Sequence, residues 1–286
     1  MKKISVKFNQ KQIFFGIIGL LLLGIIGIFA YKLNEYFSEP VINAKSINLD
    51  ASPSPKSKII ERLKKDQKIK VLKKNNNTDW WQVEIGSQKG WVASWLIQKK
   101  NYNAKNAGRL AEATIVLDPG HGGVDSGTQA SNGAMEKTYT LRTALKVYKL
   151  LKAKNVHVIM TRHTNKTVAL ASRPALSNRV KANIYISFHF NSAGEQNAAE
   201  GYEVFKYHHN ANSFASTIDK QFNNLPLYNR GVSFGNFEVL RDNKRPAILV
   251  EMGFMDSDYD FSYIQKSSYQ QKVANDVTKS LTSYFN

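Results

Sequence analysis

The chain has 286 residues, room for one core of ordinary size plus a smaller module. Its 40 Lys and Arg against 22 Asp and Glu give a formal charge of +18. That balance suits a polyanionic neighbour, and nucleic acid, anionic lipid and anionic wall polymer all fit it. With no cysteine, disulfides, thiolate metal sites and cysteine nucleophiles are excluded.

Residues 13–31 read IFFGIIGLLLLGIIGIFAY, without one charge. As a helix this run covers roughly 28 Å, about one hydrocarbon core. Lys2, Lys3, Lys7 and Lys11 precede it, and only Lys32 follows closely, beside Glu35 and Glu39. The bias predicts a basic cytoplasmic tail at 1–12, a single-pass transmembrane anchor at 13–31 and an extracellular remainder. A cleaved signal peptide is the rival. Against it, the run is longer than a usual signal core, and Ile28 stands where cleavage wants a small residue. Export removes nucleic acid as a partner and leaves membrane lipid and wall polymers. An exported chain without cysteine suits a Gram-positive surface. At about 100° per residue, Gly16, Gly19, Gly24 and Gly27 share one broad helix face. Such a stripe lets a second copy or a membrane-protein partner approach closely; equally, glycine is common in membrane spans.

Residues 32–42 form a polar spacer, and 43–100 read as a small all-β module. Strand-like runs at Lys68–Leu72, Trp81–Ile85 and Gly90–Val92 alternate with turn signals at Ser52-Pro53-Ser54-Pro55, Asn75-Asn76-Asn77 and Gly86-Ser87. Close spacing of short strands predicts a small barrel. The order SINLDASPSPKSKIIERLKKDQKIKVLKK, DWWQVEI, KGWVASWLI, ending on Gly90, Trp91, Val92 and Leu96, resembles the bacterial SH3-like (SH3b) wall-targeting domain. The opening Asn48-Leu49-Asp50-Ala51-Ser52 departs from that family. Trp80, Trp81, Trp91 and Trp95 are either a binding platform or the core and rim of a tiny barrel.

A polar linker at 101–112 leads into residues 113–286, where short apolar strands alternate with amphipathic helices. TIVLD, VHVIMT, NIYISFH, GYEVFKY, FEVL and AILVEMG read as strands; Glu136–Lys152, Val168–Val180, Ser213–Phe222 and Gln270–Tyr284 carry helical spacing. The pattern predicts an α/β fold, a central, mostly parallel, twisted sheet flanked by helices.

Four residues carry the chemistry: His121 in LDPGHGG, Glu136 in AMEKTYTL, His189 in IYISFHFN and Glu251 in AILVEMGF. Two imidazoles and one carboxylate form a zinc set that leaves a position for water. A further carboxylate serves a metal hydrolase as proton carrier. His121, His189 and Glu251 follow apolar strands, and Glu136 opens a helix, so all four fall at the carboxyl edge where open sheets bind ligands. Singly, Glu136 also reads as a first-turn acid favoured by the helix dipole, and His189 as a core histidine. Glu251 is harder to explain without function, because a buried carboxylate is costly unless paired.

LDPGHGG-x-D-x-G, then EK, TR, L-x-x-R, ISxHxN, G-Y-E-V-F, VLR, P-A-I-L-V-E-x-G-F and a final helix resemble, in order, the N-acetylmuramoyl-L-alanine amidase_3 family, from Thr114 to Phe285. With the anchor and SH3b module ahead, the architecture is similar to membrane-anchored cell-wall amidases of the LytH type. The resemblance implies one zinc ion (Zn2+) on His121, Glu136 and His189, with Glu251 as catalytic acid. The implied substrate is peptidoglycan, cut between N-acetylmuramic acid and L-alanine. Asp118 and Asn191, which flank ligand motifs, are expected to orient imidazoles, and Arg173 and Arg241 to meet stem-peptide carboxylates or to form structural ion pairs. Phe190, where the family has a small residue, is expected to narrow the substrate groove. A non-catalytic wall-binding protein and another zinc hydrolase of the wall are the alternatives.

Overall fold

The computed structural model describes residues 9–37 and 39–286. The tail expected at 1–12 falls mostly on residues 1–8, with Lys2, Lys3 and Lys7, which lie outside the described residues. Helix α1 (Gln10–Phe37) contains Ile13–Tyr31, long and apolar enough to cross a membrane by length and composition, with none of it buried against the rest of the chain. Space is open around all four of its glycines.

The small module is a five-stranded antiparallel sheet of β1 (Ser46–Asp50), β2 (Ile59–Lys64), β3 (Lys70–Lys74), β4 (Trp80–Ile85) and β5 (Gln88–Ala93), in the order β2-β1-β5-β4-β3. A single turn, α2 (Ser94–Ile97), closes it. Leu49, Leu63, Ile69, Trp80, Val83 and Val92 fill its centre. Trp80 is buried, while Trp81, Trp91 and Trp95 lie half-buried around that core, so the tryptophans serve as core and rim.

The segment expected as a polar linker is folded. Tyr102, Ala104, Leu110, Ala111 and Glu112 are buried, and Arg109–Glu112 makes a 3-10 turn. Polar composition misleads here because the polar groups find partners. The Arg109 guanidinium donates to Asp50 Oδ1 at 2.7 Å and Pro55 O at 2.7 Å, and faces Glu112 Oε2 at 2.6 Å. The other Glu112 oxygen accepts from Asn48 Nδ2. The unusual opening of the module thus holds the chain that leads into the next sheet.

That sheet comprises β6 (Thr114–Pro119), β7 (His157–Met160), β8 (Ile184–Asn191), β9 (Tyr202–Lys206), β10 (Asn229–Phe234) and β11 (Ala247–Phe254), in the order β10-β9-β11-β8-β6-β7. All neighbours are parallel except β9 and β11. Helices α3 (Glu136–Ala153), α5 (Asn212–Phe222) and α8 (Ser267–Phe285) cover one face, where Ile186, Phe188, Val250 and Met252 meet Val147, Phe222 and Val277. The intervening residues Val116, Tyr185 and Leu249 face the other side, with Val180 at the end of α4 (Ser172–Arg179) and Val239 and Leu240 of α6 (Glu238–Arg241). Alternation along each strand therefore sorts the large core from the side that carries the chemistry. A short α7 (Asp258–Ile264) follows β11.

The expected mostly parallel sheet with helices on both faces is present. Three elements differ from the sequence reading. FEVL, read as a strand, lies in the turn leading to α6 and in α6 itself, since four apolar-rich residues carry no usable periodicity. The sheet edge beside β9 is occupied instead by β10, NRGVSF, whose Gly231 at φ +85° interrupts any strand-like alternation. Helix α4 starts at Ser172, later than the expected Val168, and leaves Val168–Ala171 as irregular chain beside the site.

Candidate metal centre and active site

Strands β6, β8 and β11 lie side by side and parallel, with Asp118 opposite Ser187 and His189 opposite Glu251. His189 and Glu251 project from the face that carries Tyr185 and Leu249. His121 reaches the same place from the turn after β6, in the left-handed region at φ +60°. Glu136 enters as the first residue of α3.

One ligand atom from each of His121, Glu136 and His189 lies within 4.8 Å of the others. His121 Nε2 stands 3.0 Å from Glu136 Oε2, and His189 Nδ1 3.0 Å from Glu136 Oε1. The backbone N–H groups of Thr128 and Phe190 fix the buried carboxylate by donating to its two oxygens. Glycine makes the approach possible: a Cβ on Gly120 would collide with the His189 ring, and one on Gly127 with Glu136 and His121.

Burial works to raise the pKa of Glu136, but hydrogen bonds and charge from His121 and His189 outweigh it and bring it down to about 2. Burial works to lower His121, whereas Glu136 and Asp125 outweigh that and raise it. The result is an ionised carboxylate between two imidazoles, a donor set suited to a divalent metal with a position left for water. Glu251, opposite His189, adds a carboxyl to the same face. It is 8% exposed and its buried Oε2 has no hydrogen-bond partner. Burial, then the charges of Glu136 and Glu203, push its pKa well above the usual carboxylate range.

Residues 115–283 match the sequence model of the N-acetylmuramoyl-L-alanine amidase family. The chain belongs to that family. Residues 45–98 of this amidase match the bacterial SH3 domain. Over 262 residues it is 31% identical to the probable cell wall amidase LytH of Staphylococcus epidermidis, covering 89% of this chain and 87% of the relative. With the protein of that name from Staphylococcus aureus it shares 32% over 259 residues, 88% of this chain and 86% of the relative. Among solved structures it resembles the N-acetylmuramoyl-L-alanine amidase AmiC2 of Nostoc punctiforme, with TM-score 0.58, 31% identity and coverage of 60% of this chain and 96% of that one. The catalytic domain of the amidase CwlV from Bacillus (Paenibacillus) polymyxa var. colistinus gives TM-score 0.58 and 32% identity over 60% of this chain and 97% of that one.

Around the donors, the amidase assigns supporting work differently from the sequence reading. Asp118 touches no imidazole. It is fully buried and accepts from Thr161 Oγ1, Tyr185 OH, Ser187 Oγ and Arg173 Nη1 at 2.6 to 2.8 Å. The carboxylate on the His121 ring is Asp125, 2.9 Å from Nδ1. Arg173 is buried and also donates to Pro119 O and His121 O, so it is a structural ion pair. Arg162 was missed. Fully buried, it donates to Pro119 O, Gly120 O and Lys137 O, and the two arginines together hold the backbone that presents His121. Its signal was an arginine directly after the apolar strand VHVIMT. Asn191 Oδ1 accepts from the next N–H, that of Ser192, and Arg241 pairs with Asp242 and Asn236. Neither side chain bonds a donor residue. Phe190, one position from His189, faces the opposite core against Tyr139 and does not narrow the groove.

The two histidines open onto a cleft of about 400 Å³ whose apolar lining is Val168, Leu170, Phe237, Val239 and Leu249.

Proposed function

We propose that this amidase is a zinc enzyme, anchored by residues 13–31 with its tail at 1–12 inside, that acts on peptidoglycan at the outer face of the cell membrane. Residues 43–100 serve as its wall-contacting module and 113–286 as its catalytic domain. The observation that carries the reading is the convergence of His121, Glu136 and His189 within 4.8 Å beside an unpartnered, buried Glu251. A membrane-facing location is supported by the apolar helix and by the charge of +18, which suits anionic wall polymers and lipid.

In this mechanism His121, Glu136 and His189 would hold the ion. Bound there, zinc would supply Lewis acidity to the scissile carbonyl and acidify water. Glu251 takes the proton from the attacking water and passes it to the leaving nitrogen of L-alanine, as the lactyl carbonyl of N-acetylmuramic acid becomes a carboxylate. The charge of the bound ion would favour the ionised form of Glu251 that accepts this proton, against burial and the charges of Glu136 and Glu203. Asp125 fixes the His121 ring, and the buried arginines fix the loop beneath it.

The test is digestion of purified peptidoglycan by zinc-loaded protein, read by mass spectrometry. Stem peptides with a free L-alanine amino terminus are expected. Glu251→Gln should lower the rate at least about 100-fold while the metal content stays equal. Products cut within the peptide or the glycan, or full activity in Glu251→Gln, would overturn the assignment.

A further inference from the structure

We propose that the apolar wall formed by Leu249 and Phe237, with Phe205 packed behind Phe237, is the saccharide subsite of this amidase. It receives the sugar side of the scissile bond, with a pyranose C–H face against the Phe237 ring. The stem peptide leaves on the other side of the metal donors. This inference rests on the amidase reading and on Glu251 being the proton carrier.

Strand register places the wall next to the chemistry. Leu249 lies two residues before Glu251 on the same face of β11, roughly 7 Å away. Across the antiparallel pair, Leu249 stands opposite Phe205 of β9. The Phe205 and Phe237 rings pack edge to face, with centroids 5.2 Å apart and planes at 76°. Phe237 thus packs on the ring that stands opposite Leu249, on the face of the sheet that carries the acid. Its position depends on an absent side chain, since a Cβ on Gly235 would stand 2.6 Å from the Phe237 ring. Phe237 is nevertheless 40% exposed, and Phe234, exposed and packed on Tyr207 at 5.1 Å, adds a further ring nearby on the same edge. Exposed rings held by other rings form a rigid plate. Such plates suit ligands that are flat and apolar on one face and polar at the rim.

Charge decides which half of the substrate lies there. The stem peptide carries free carboxylates, the first of them on the residue after L-alanine. Among the described residues lining the cleft, the charged groups other than the donor histidines are Asp125, Glu238 and Arg173. Arg173 is committed to Asp118 and to three backbone carbonyls. A peptide carboxylate on this wall would lose water and gain no cation, with Glu238 repelling it. An N-acetylated sugar is neutral and pays no such cost.

The experiment uses the full-length, zinc-loaded protein and two substrates from one peptidoglycan preparation: disaccharide-peptide muropeptides, and lactoyl-peptides from which β-elimination has removed the sugars. Phe237→Ala is expected to lower kcat/KM on the muropeptide about tenfold, mainly through KM, and at least fivefold more than on the lactoyl-peptide. Phe237→Tyr, which keeps the ring, should restore the muropeptide value. Where a thermal melt shows that Phe237→Ala has lost its fold, Phe237→Leu reads the same differential. Equal losses on both substrates, or a larger loss on the lactoyl-peptide, would overturn the subsite. Wild-type protein that cuts neither substrate would overturn the amidase reading itself, and this inference with it.

Discussion

His121 has both ring nitrogens engaged, Nε2 toward Glu136 and Nδ1 toward Asp125. An imidazole whose second nitrogen donates to a carboxylate is fixed in tautomer and orientation and is the more basic ligand. Asp125→Asn is therefore expected to weaken zinc binding about 10- to 100-fold, measured by competition with a chromophoric chelator, while the thermal melt of the metal-free protein changes little. Unchanged affinity would make Asp125 a surface turn residue. Sequence alone could not choose between Asp118 and Asp125. Both lie within four residues of His121, but Asp118 is locked into the strand face by four donors, whereas the turn through Gly122 and Gly123, both at positive φ, folds Asp125 back onto the ring. His121, Glu136, His189 and Glu251 were legible because each follows an apolar run or opens a helix, where a lone polar group stands out.

At the scale of elements, the site depends on a loop made rigid from below. Residues 119–121 present three backbone carbonyls to two buried guanidinium groups, Arg162 and Arg173. Burial, then the charge of Arg173, brings the pKa of Arg162 down to about 10, so it stays protonated at neutral pH. Replacing it by Gln leaves buried carbonyls without donors, a loss on the order of 3 kcal/mol. Arg162→Gln should show this in denaturant unfolding and should weaken zinc binding as well; a loss below about 1 kcal/mol would mean that water replaces the guanidinium. This framework was only partly legible. Strands with continuous apolar runs, such as TIVLD and NIYISFH, identify themselves. FEVL and NRGVSF do not, because their state is set by neighbours: β9 offers one free edge, and β10 takes it. A buried arginine likewise shows in sequence only as a charge, and its carbonyl partners exist only after folding.

The SH3 module and the catalytic sheet are joined through a buried charge cluster. Asp50 and Glu112 share the single guanidinium of Arg109, with Asn48, Arg62 and Tyr102 close by. Burial raises Asp50 to about 6 from its ordinary 3.8, against the pull of Arg109. Burial and then the charge of Asp50 raise Glu112 to about 7 from 4.5. An acid whose folded pKa exceeds its unfolded value holds its proton more tightly when folded. Its contribution is therefore full below about pH 4 and is lost as pH rises through 6 to 7. A second contact across the same junction runs the other way. Trp95 stacks on His157 at 4.8 Å, and burial lowers the His157 pKa, against the nearby charge of Asp79, so acid loosens that side. Glu112→Gln separates the two. At pH 5 the wild-type carboxyl is already protonated in the fold, and the variant should melt close to wild type. At pH 8 the wild type holds two ionised acids around one cation, and the variant is relieved of one, worth on the order of 2 kcal/mol. The melting gap should therefore widen by about 5 °C between pH 5 and pH 8. A gap that stays constant, or that closes as pH rises, would show that Arg109 neutralises both acids and that the junction between the SH3 module and the amidase does not respond to pH.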